Sequence, residues 1–263
     1  MSAVNQTRLR RFLLRISALY YELVYLWPSS NWSMFNYGYA PVSDELLVDP
    51  DTRQQPLQSQ LYLQIWNAIG KPTSDDALVV EISCGKGGGL DLIRRRSSVR
   101  VLGLERAFFG RLKARWRHRI ETMRFRAPHI GIANSAADVL LSVEAAHNYF
   151  SPEFAAEMYR CLKPGGTLVM ADCPLAPITE QREVIAGTLT RAGFQVELFE
   201  DITPNIIAAC QQDTPRKMRL IRWLPGQLRR ELMDALGCDP SPKLNSFLSG
   251  ARGYFLLRAV KPV

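Results

Sequence analysis

The sequence has few of the residues that build extracellular or metal-binding proteins. Its five cysteines are scattered, and no two of them have the C-x-x-C spacing that structural zinc sites use. Cys84 lies among glycines, and Cys161 and Cys173 flank a predicted strand, so we expect reduced thiols. We therefore expect a cytoplasmic protein, with membrane association left open, and we predict no metal site.

The sequence also lacks an apolar run long enough to cross a membrane. The strongest candidate, residues 12–27, is shorter than the roughly 20 residues that a spanning helix needs, and Arg15 and Glu22 interrupt it. No small-residue cleavage site follows it, as a secretory signal peptide would require. We predict an amphipathic helix that covers a site or lies in a membrane interface, and the sequence favours neither.

Acidic residues are in the minority. The chain has 25 Asp and Glu against 33 Lys and Arg, a net charge of +8 and a pI near 9.4. No recognised nucleic-acid-binding module accompanies this charge, so we predict no nucleic-acid partner. The basic residues are spread over residues 8–15, 94–96, 111–119 and 216–230. We interpret them mainly as solvated helix faces, and peripheral contact with an anionic membrane or an acidic carrier protein stays open.

What the sequence does contain is a globular composition with alternating strand and helix patterns. With 263 residues, 47% hydrophobic and 22% charged, it can bury a sizeable core. Residues 1–75, broken by prolines, predict a helical cap and lid. Residues 76–263 predict a mostly parallel sheet with a lid insertion around residues 203–250. The candidate strands are residues 78–82, 99–104, 123–126, 139–143, 167–172, 195–201 and 254–260.

A glycine-rich turn between a short apolar run and a helix is the strongest functional signal. Residues 78–82 lead into Ser-Cys-Gly-Lys-Gly-Gly-Gly, which places Gly85, Gly87 and Gly89 at alternate positions. Glycine permits unusual backbone angles and lets a ligand approach main-chain atoms. Glu81 lies at the end of the apolar run, and Glu105 follows about 20 residues after the turn, where an acid can bond ribose hydroxyls. This order predicts a nucleotide-type cofactor site.

The spacing Glu-x-x-x-Gly-x-Gly-x-Gly differs from the dinucleotide fingerprint Gly-x-Gly-x-x-Gly. It resembles the first motif of class I S-adenosylmethionine (SAM)-dependent methyltransferases. More particularly, residues 81–89 are similar to the phthiotriol/phenolphthiotriol dimycocerosate methyltransferases and related polyketide-tailoring methyltransferases. The same resemblance extends to Asn-Tyr-Gly-Tyr-Ala at 36–40, Val-Glu-Ala-Ala-His-Asn-Tyr at 143–149 and Leu-Lys-Pro-Gly-Gly-Thr-Leu at 162–168.

The resemblance implies a Rossmann-like, doubly wound, mostly parallel seven-stranded sheet with an α-helical N-terminal cap. It also implies SAM as the cofactor, with main-chain groups of the three alternate glycines contacting its methionine part. Glu105 would bind the ribose, and Glu81 would belong to the same cofactor-binding set. The aromatic segment around Tyr37 would close over the cofactor, although such a cluster also suits plain packing between cap and sheet.

His147 is the residue that we predict for catalysis. It follows the candidate strand 139–143, where substrate and cofactor meet in this fold, and Asp172 lies at another strand end. A hydroxyl nucleophile gains from a base that removes its proton as the new bond forms, and histidine titrates in the right range. The alternative is a structural imidazole that is hydrogen-bonded at a strand end.

One departure from the family pattern concerns the adenine. Methyltransferases of this family usually carry an acid after the third strand, whereas no acid occurs here between Glu121 and Asp138. The adenine amino group would then use main-chain acceptors or the side chains of Asn134 or Ser135. A missing hydrogen bond of this kind is worth about 0.5–1.5 kcal/mol, so it does not by itself abolish methyl transfer.

Together these features predict a SAM-dependent O-methyltransferase in secondary metabolism that acts on a hydroxyl of a lipid-like or polyketide-derived small molecule. Two alternatives stay open. One is a methyltransferase-fold cyclase that shapes a polyketide; the other is a non-catalytic accessory protein of a polyketide pathway. Fold alone does not separate them, because function depends on the site. The oligomeric state is not predicted.

Overall fold

The computed structural model describes residues 21–26, 32–70 and 74–263, whose centre is a seven-stranded sheet with helices on both faces. The strands match the seven predicted apolar runs. They are β1 (Leu78–Ile82), β2 (Arg100–Glu105), β3 (Glu121–Arg124), β4 (Ala137–Val143), β5 (Leu162–Asp172), β6 (Gln195–Asp201) and β7 (Phe255–Val260).

Along the sheet the strands follow the order β3-β2-β1-β4-β5-β7-β6. Neighbours from β3 to β5 run parallel, whereas β7 lies antiparallel between β5 and β6. The prediction of a doubly wound, mostly parallel seven-stranded sheet is therefore confirmed. The order reverses between β1 and β4, and in such sheets ligands bind beyond the carboxyl ends of the strands at that point.

The helices connect the strands and cover them. Residues 21–26 are helical and belong to α1; the remainder of the predicted helix 12–27 lies outside the described residues. The others are α2 (Asp44–Val48), α3 (Pro56–Ile69), α4 (Gly88–Arg95), α5 (Phe108–His118), α6 (Pro152–Cys161), α7 (Ile178–Arg191), α8 (Thr203–Ile221), α9 (Gly226–Ala235) and α10 (Pro242–Leu248).

Alternate residues of the central strands supply two separate cores. Val79 faces one side of the sheet, where it joins a cluster with Leu61 of α3, and Val80 faces the other side, where it joins a cluster with Phe154 of α6. This follows from the period of two in a strand. Burial on both faces explains why the strands are continuous apolar runs instead of alternating polar and apolar residues.

The segment 32–40 runs back over the sheet and is fixed by one buried side chain. Gln55 accepts hydrogen bonds from the N–H groups of Ser33 (2.6 Å) and Met34 (3.1 Å), and its amide donates to the carbonyl of Met34 (2.8 Å). These hydrogen bonds hold segment 32–40, which belongs to the predicted cap, beside the carboxyl edge of the sheet. Within the described ranges, no helix combines the length and apolar character that crossing a membrane requires.

Candidate active site

Four carboxylates gather at the carboxyl edge of the sheet, each supplied by a different strand. Glu81 lies on β1, Glu105 ends β2, Glu144 follows β4 and Asp172 ends β5. In the part of the chain that the structure describes, the three glutamates form no ion pair with Lys or Arg. Buried carboxylates without cationic partners favour a positively charged ligand.

The glycine loop joins β1 to α4. Gly85 and Gly87 have φ angles of 55° and 80°, in the left-handed region that favours glycine, and Gly87 precedes the first residue of α4. Gly89 is needed for a different reason, since a Cβ there would lie 1.9 Å from the ring of Tyr62. Gly89 therefore serves the packing of α4 on α3, and the backbone available to a ligand is that of Gly85 and Gly87.

Glu105 fixes the position of this loop. Its carboxylate accepts hydrogen bonds from the backbone N–H of Gly85 at 3.0 Å and of Ala107 at 2.7 Å. Burial raises the pKa of Glu105, and these two N–H groups counteract part of that rise. The structure thus brings Glu105 and Gly85 together, and each carboxylate oxygen retains a lone pair for a further donor.

Glu81 lies deeper, on the side of the sheet that α3 covers. One of its oxygens accepts a hydrogen bond from the Tyr62 hydroxyl at 2.6 Å, and the other has no hydrogen-bond partner. Burial raises the pKa of Glu81 to about 7, against the opposing effect of the Tyr62 hydrogen bond. A buried acceptor without a donor is costly unless a ligand or water supplies one.

Glu144 connects the cap to the insertion between β6 and β7. One of its oxygens accepts from the backbone N–H of Tyr37 at 2.8 Å and from the Tyr254 hydroxyl at 2.9 Å. Burial raises the pKa of Glu144 to about 7, although both donors act to lower it. The Tyr37 ring packs edge-on against Phe247 of α10. Tyr37 therefore contacts the carboxyl edge of the sheet through its backbone N–H, while its side chain packs between the cap and the insertion.

His147 lies in a short 3-10 turn after β4 and pairs with Asp172. Its Nδ1 lies 2.6 Å from Asp172, whose other oxygen accepts from the His147 backbone N–H at 2.9 Å. On the far side of the ring, Nε2 lies 3.0 Å from the side-chain amide of Asn148. Burial lowers the pKa of His147, but the charge and hydrogen bond of Asp172 outweigh it, so the pKa is raised overall. The sequence showed Asp172 at a strand end without showing this pairing.

A cavity of about 170 Å³ adjoins His147 between the 3-10 turn and α7. His147, Asp172, Glu180 and Gln181 supply its polar lining, and the rest of the lining is apolar. The apolar lining residues are Ala146, Phe150, Met170, Pro174, Ala176, Val184, Ile185 and Phe255. If the Asn148 amide gives way, Nε2 of His147 can deprotonate a polar group of an otherwise apolar molecule bound in this cavity.

Helix α1 covers the glycine loop. A Cβ added to Gly85 would lie 3.2 Å from the hydroxyl of Tyr25, and one added to Gly110 would lie 3.1 Å from the Tyr25 ring. The Glu22 carboxylate accepts hydrogen bonds from the N–H groups of Phe108 (2.7 Å) and Phe109 (2.9 Å) at the start of α5. The sequence placed a covering helix here as one of two options, but it did not identify Tyr25 as the residue against the loop.

Asn134 is the one predicted cofactor residue that the structure does not bring to this edge. It lies ahead of β4, at the amino end of that strand, is exposed, and accepts a hydrogen bond from Arg160 at 2.7 Å. Because parallel strands place all their amino ends at the opposite edge of the sheet, Asn134 is separated from the glycine loop by the length of the strand. We therefore leave Asn134 out of the candidate site.

Comparison with known proteins agrees with this geometry. A family described as methyltransferase domain matches residues 80–170. A probable phthiotriol/phenolphthiotriol dimycocerosates methyltransferase 2 of Mycobacterium ulcerans is 34% identical over 175 residues, which cover 62% of this chain and 66% of that one. The corresponding methyltransferase of Mycobacterium leprae is 29% identical over 65% of this chain and 64% of its own. The chain thus spans slightly less than two thirds of these relatives.

Solved structures share the fold at low identity. Geranyl diphosphate C-methyltransferase from Streptomyces coelicolor A3(2) superposes with a TM-score of 0.67 and 18% identity, over 93% of this chain and 96% of that one. The (4+2)-cyclase SpnF superposes with a TM-score of 0.67 and 17% identity, over 94% and 95%. Residues 80–170 thus match a methyltransferase domain, the chain shares the fold of SAM-dependent methyltransferases, and it is similar in sequence to the phthiotriol/phenolphthiotriol dimycocerosates methyltransferases.

Proposed function

We propose that this protein is a SAM-dependent O-methyltransferase that acts on a hydroxyl of a lipid-like or polyketide-derived small molecule in secondary metabolism. The observation that carries the proposal is the His147–Asp172 pair, which lies at the same sheet edge as the glycine loop and lines a mostly apolar cavity. Methyl transfer to a lipid hydroxyl needs a base, a cofactor loop and an apolar pocket held close together.

The residues at this edge fit SAM, whose sulfonium and ammonium groups are positively charged. Glu81 and Glu105 are buried without Lys or Arg partners in the described chain, and one oxygen of Glu81 has no donor. We propose that Glu81 and the backbone of Gly85 and Gly87 hold the methionine part, with Glu105 at the ribose and Tyr37 in the segment that closes the site. When bound, SAM supplies an electrophilic methyl group.

The proposed reaction assigns one proton transfer to this chain. Asp172 accepts the hydrogen of Nδ1 and so leaves Nε2 of His147 as the basic nitrogen. The substrate hydroxyl would take the place of the Asn148 amide at Nε2 and give up its proton there. Its oxygen would receive the methyl group that bound SAM supplies, with the neutral thioether of the demethylated cofactor as the leaving group. Asp172 then stabilises the resulting imidazolium, in keeping with the raised pKa of His147.

The substrate class follows from the surroundings of His147. The cavity is lined mainly by aliphatic and aromatic side chains, and its polar lining residues are His147, Asp172, Glu180 and Gln181. An apolar chain would gain about 25 cal/mol for each Å² removed from water, while its hydroxyl reached the base. The mycobacterial relatives are named for phthiotriol and phenolphthiotriol dimycocerosates, and those names support a hydroxyl-bearing lipid here.

The test uses the purified full chain, SAM with a labelled methyl group and hydroxyl-bearing lipids or polyketides. We expect label in an ether product, and we expect His147→Ala to lower turnover by about 10²-fold or more without changing SAM binding by calorimetry. His129→Ala is the matched control, because His129 is exposed and lies outside the site. Conversion of the substrate to an isomer of unchanged mass, at the same rate without SAM, would contradict the proposal in favour of a cyclase.

A further inference from the structure

Helix α5 exposes its large apolar side chains instead of burying them. Phe108 and Trp116 are 55% and 89% exposed, and Leu112 between them is also exposed. The three are spaced four residues apart and therefore share one side of the helix. The opposite side, with Gly110 and Ala114, is the one that packs against the protein. A soluble helix normally shows the reverse pattern.

Helix α1 extends this apolar stripe. Its Glu22 bonds the N–H groups at the start of α5, and the Lys113 ammonium donates to the carbonyl of Leu26 at 3.4 Å, so the two helices run side by side. Leu23 and Leu26 are exposed next to the stripe. We call the surface formed by Leu23, Leu26, Phe108, Leu112 and Trp116 the α1–α5 face.

Positive charge borders the α1–α5 face, and helix α5 itself carries no acid. Residues 106–120 contain no Asp or Glu. Arg115 and Arg119 follow the same side of the helix as the stripe, are exposed, and pair with no carboxylate in the described part of the chain. The sequence ahead of residue 21 adds four arginines and no acid.

We propose that the α1–α5 face docks on an anionic lipid surface. Trp, Phe and Leu side chains flanked by Arg suit the boundary between headgroups and acyl chains, where the apolar groups enter and the guanidinium groups bond phosphates. A soluble acidic partner would account for the arginines alone, and a second copy of the chain would bring two basic faces together. Helix α1 contacts Gly85 through Tyr25 on its inner side, so a docked protein holds its candidate site at the lipid surface.

The proposal is independent of the reaction, and vesicle flotation of the full chain tests it. We expect binding to vesicles with about 30% phosphatidylglycerol in phosphatidylcholine at about 0.1 M salt, little binding to pure phosphatidylcholine, and release at about 0.5 M salt. Trp116→Ser should weaken binding about tenfold. Trp223→Ser is the matched control, since Trp223 is 81% exposed elsewhere, between α8 and α9.

The charge is tested by changing Arg115 and Arg119 together to Gln, which should weaken binding about 30-fold. Arg222 and Arg230 changed to Gln are the control. Wild-type protein that stays unbound at low salt would overturn the proposal. So would equal losses in the Trp116 and Trp223 variants, or a dimer that Trp116→Ser dissociates. Binding to soluble heparin but not to anionic vesicles would assign the face to a soluble polyanion instead.

Discussion

Replacing Glu81 with Gln should stabilise the protein above neutral pH and weaken its binding of SAM. The pKa of the buried Glu81 carboxyl is raised from 4.5 to about 7. Each pKa unit corresponds to about 1.4 kcal/mol between the two protonation states, so the ionised form costs about 3 kcal/mol. Gln has the same shape, keeps an acceptor for Tyr62 and carries no charge.

The direction in which stability changes with pH follows from proton binding by Glu81. Since the folded carboxyl holds its proton more tightly than the unfolded one, its contribution to stability is complete below the unfolded pKa and is lost as pH rises through about 7. Glu81→Gln removes that loss. We expect its free energy of unfolding, relative to wild type, to rise by about 2–3 kcal/mol between pH 5 and pH 8.

Urea denaturation at pH 5 and pH 8 measures this difference, with Glu183→Gln as the control because Glu183 is exposed. Other buried carboxylates, such as Glu144, remain in both proteins and cancel in the comparison. Calorimetry at pH 8 should show weaker SAM binding by Glu81→Gln, in the opposite direction to its stability. A stability difference that is the same at both pH values would refute the reasoning from burial.

Three further predictions concern the site and its support. Asp172→Asn should move the rising limb of the methyl-transfer rate to lower pH, because Asp172 raises the pKa of His147; rate–pH profiles of both proteins check this, and an unmoved limb would exclude His147 as the titrating base. Gly89→Ala should cost about 1–3 kcal/mol, since its Cβ would overlap Tyr62, and thermal melts should show partial rescue when Tyr62→Leu is added. Asn134→Ala should leave the SAM affinity, measured by calorimetry, within about twofold of wild type, because the Asn134 side chain bonds Arg160 away from the glycine loop. A larger loss of affinity would return Asn134 to the candidate site.

The strands of the sheet could be predicted from the sequence because the patterns that mark them are local. A strand that is buried on both faces must be a continuous apolar run, and the connecting helices begin and end at residues with recognisable preferences. Pro152, for example, opens α6 directly after the capping residue Ser151. Six of the seven strands, all except β5, therefore begin and end within two residues of their predicted positions. The start of β5 was missed, because Leu162–Gly166 reads as a turn yet continues the strand.

The glycine loop and Glu105 were also accessible, since a turn, a strand and an acid in fixed order constrain one another over a short stretch. The position of Asn134 in the chain did not show where it lies relative to the glycine loop. Asn134 is close to β4 in sequence, but it precedes that strand and so lies at its amino end. Whether a residue lies before or after a parallel strand decides which edge of the sheet it reaches, because all the amino ends lie at one edge and all the carboxyl ends at the other.

The sequence by itself determined the class of fold, and it located the glycine loop and His147 as candidates for the cofactor site and the base. Only the tertiary structure decided that Asp172 meets His147, that Tyr25 lies against Gly85, and that α5 turns its apolar side outward. Each of these depends on contacts between segments distant in the chain, set by strand order and helix packing. Local propensity carries no information about which distant side chain fills a given space, because that choice is made by the packing of the whole core.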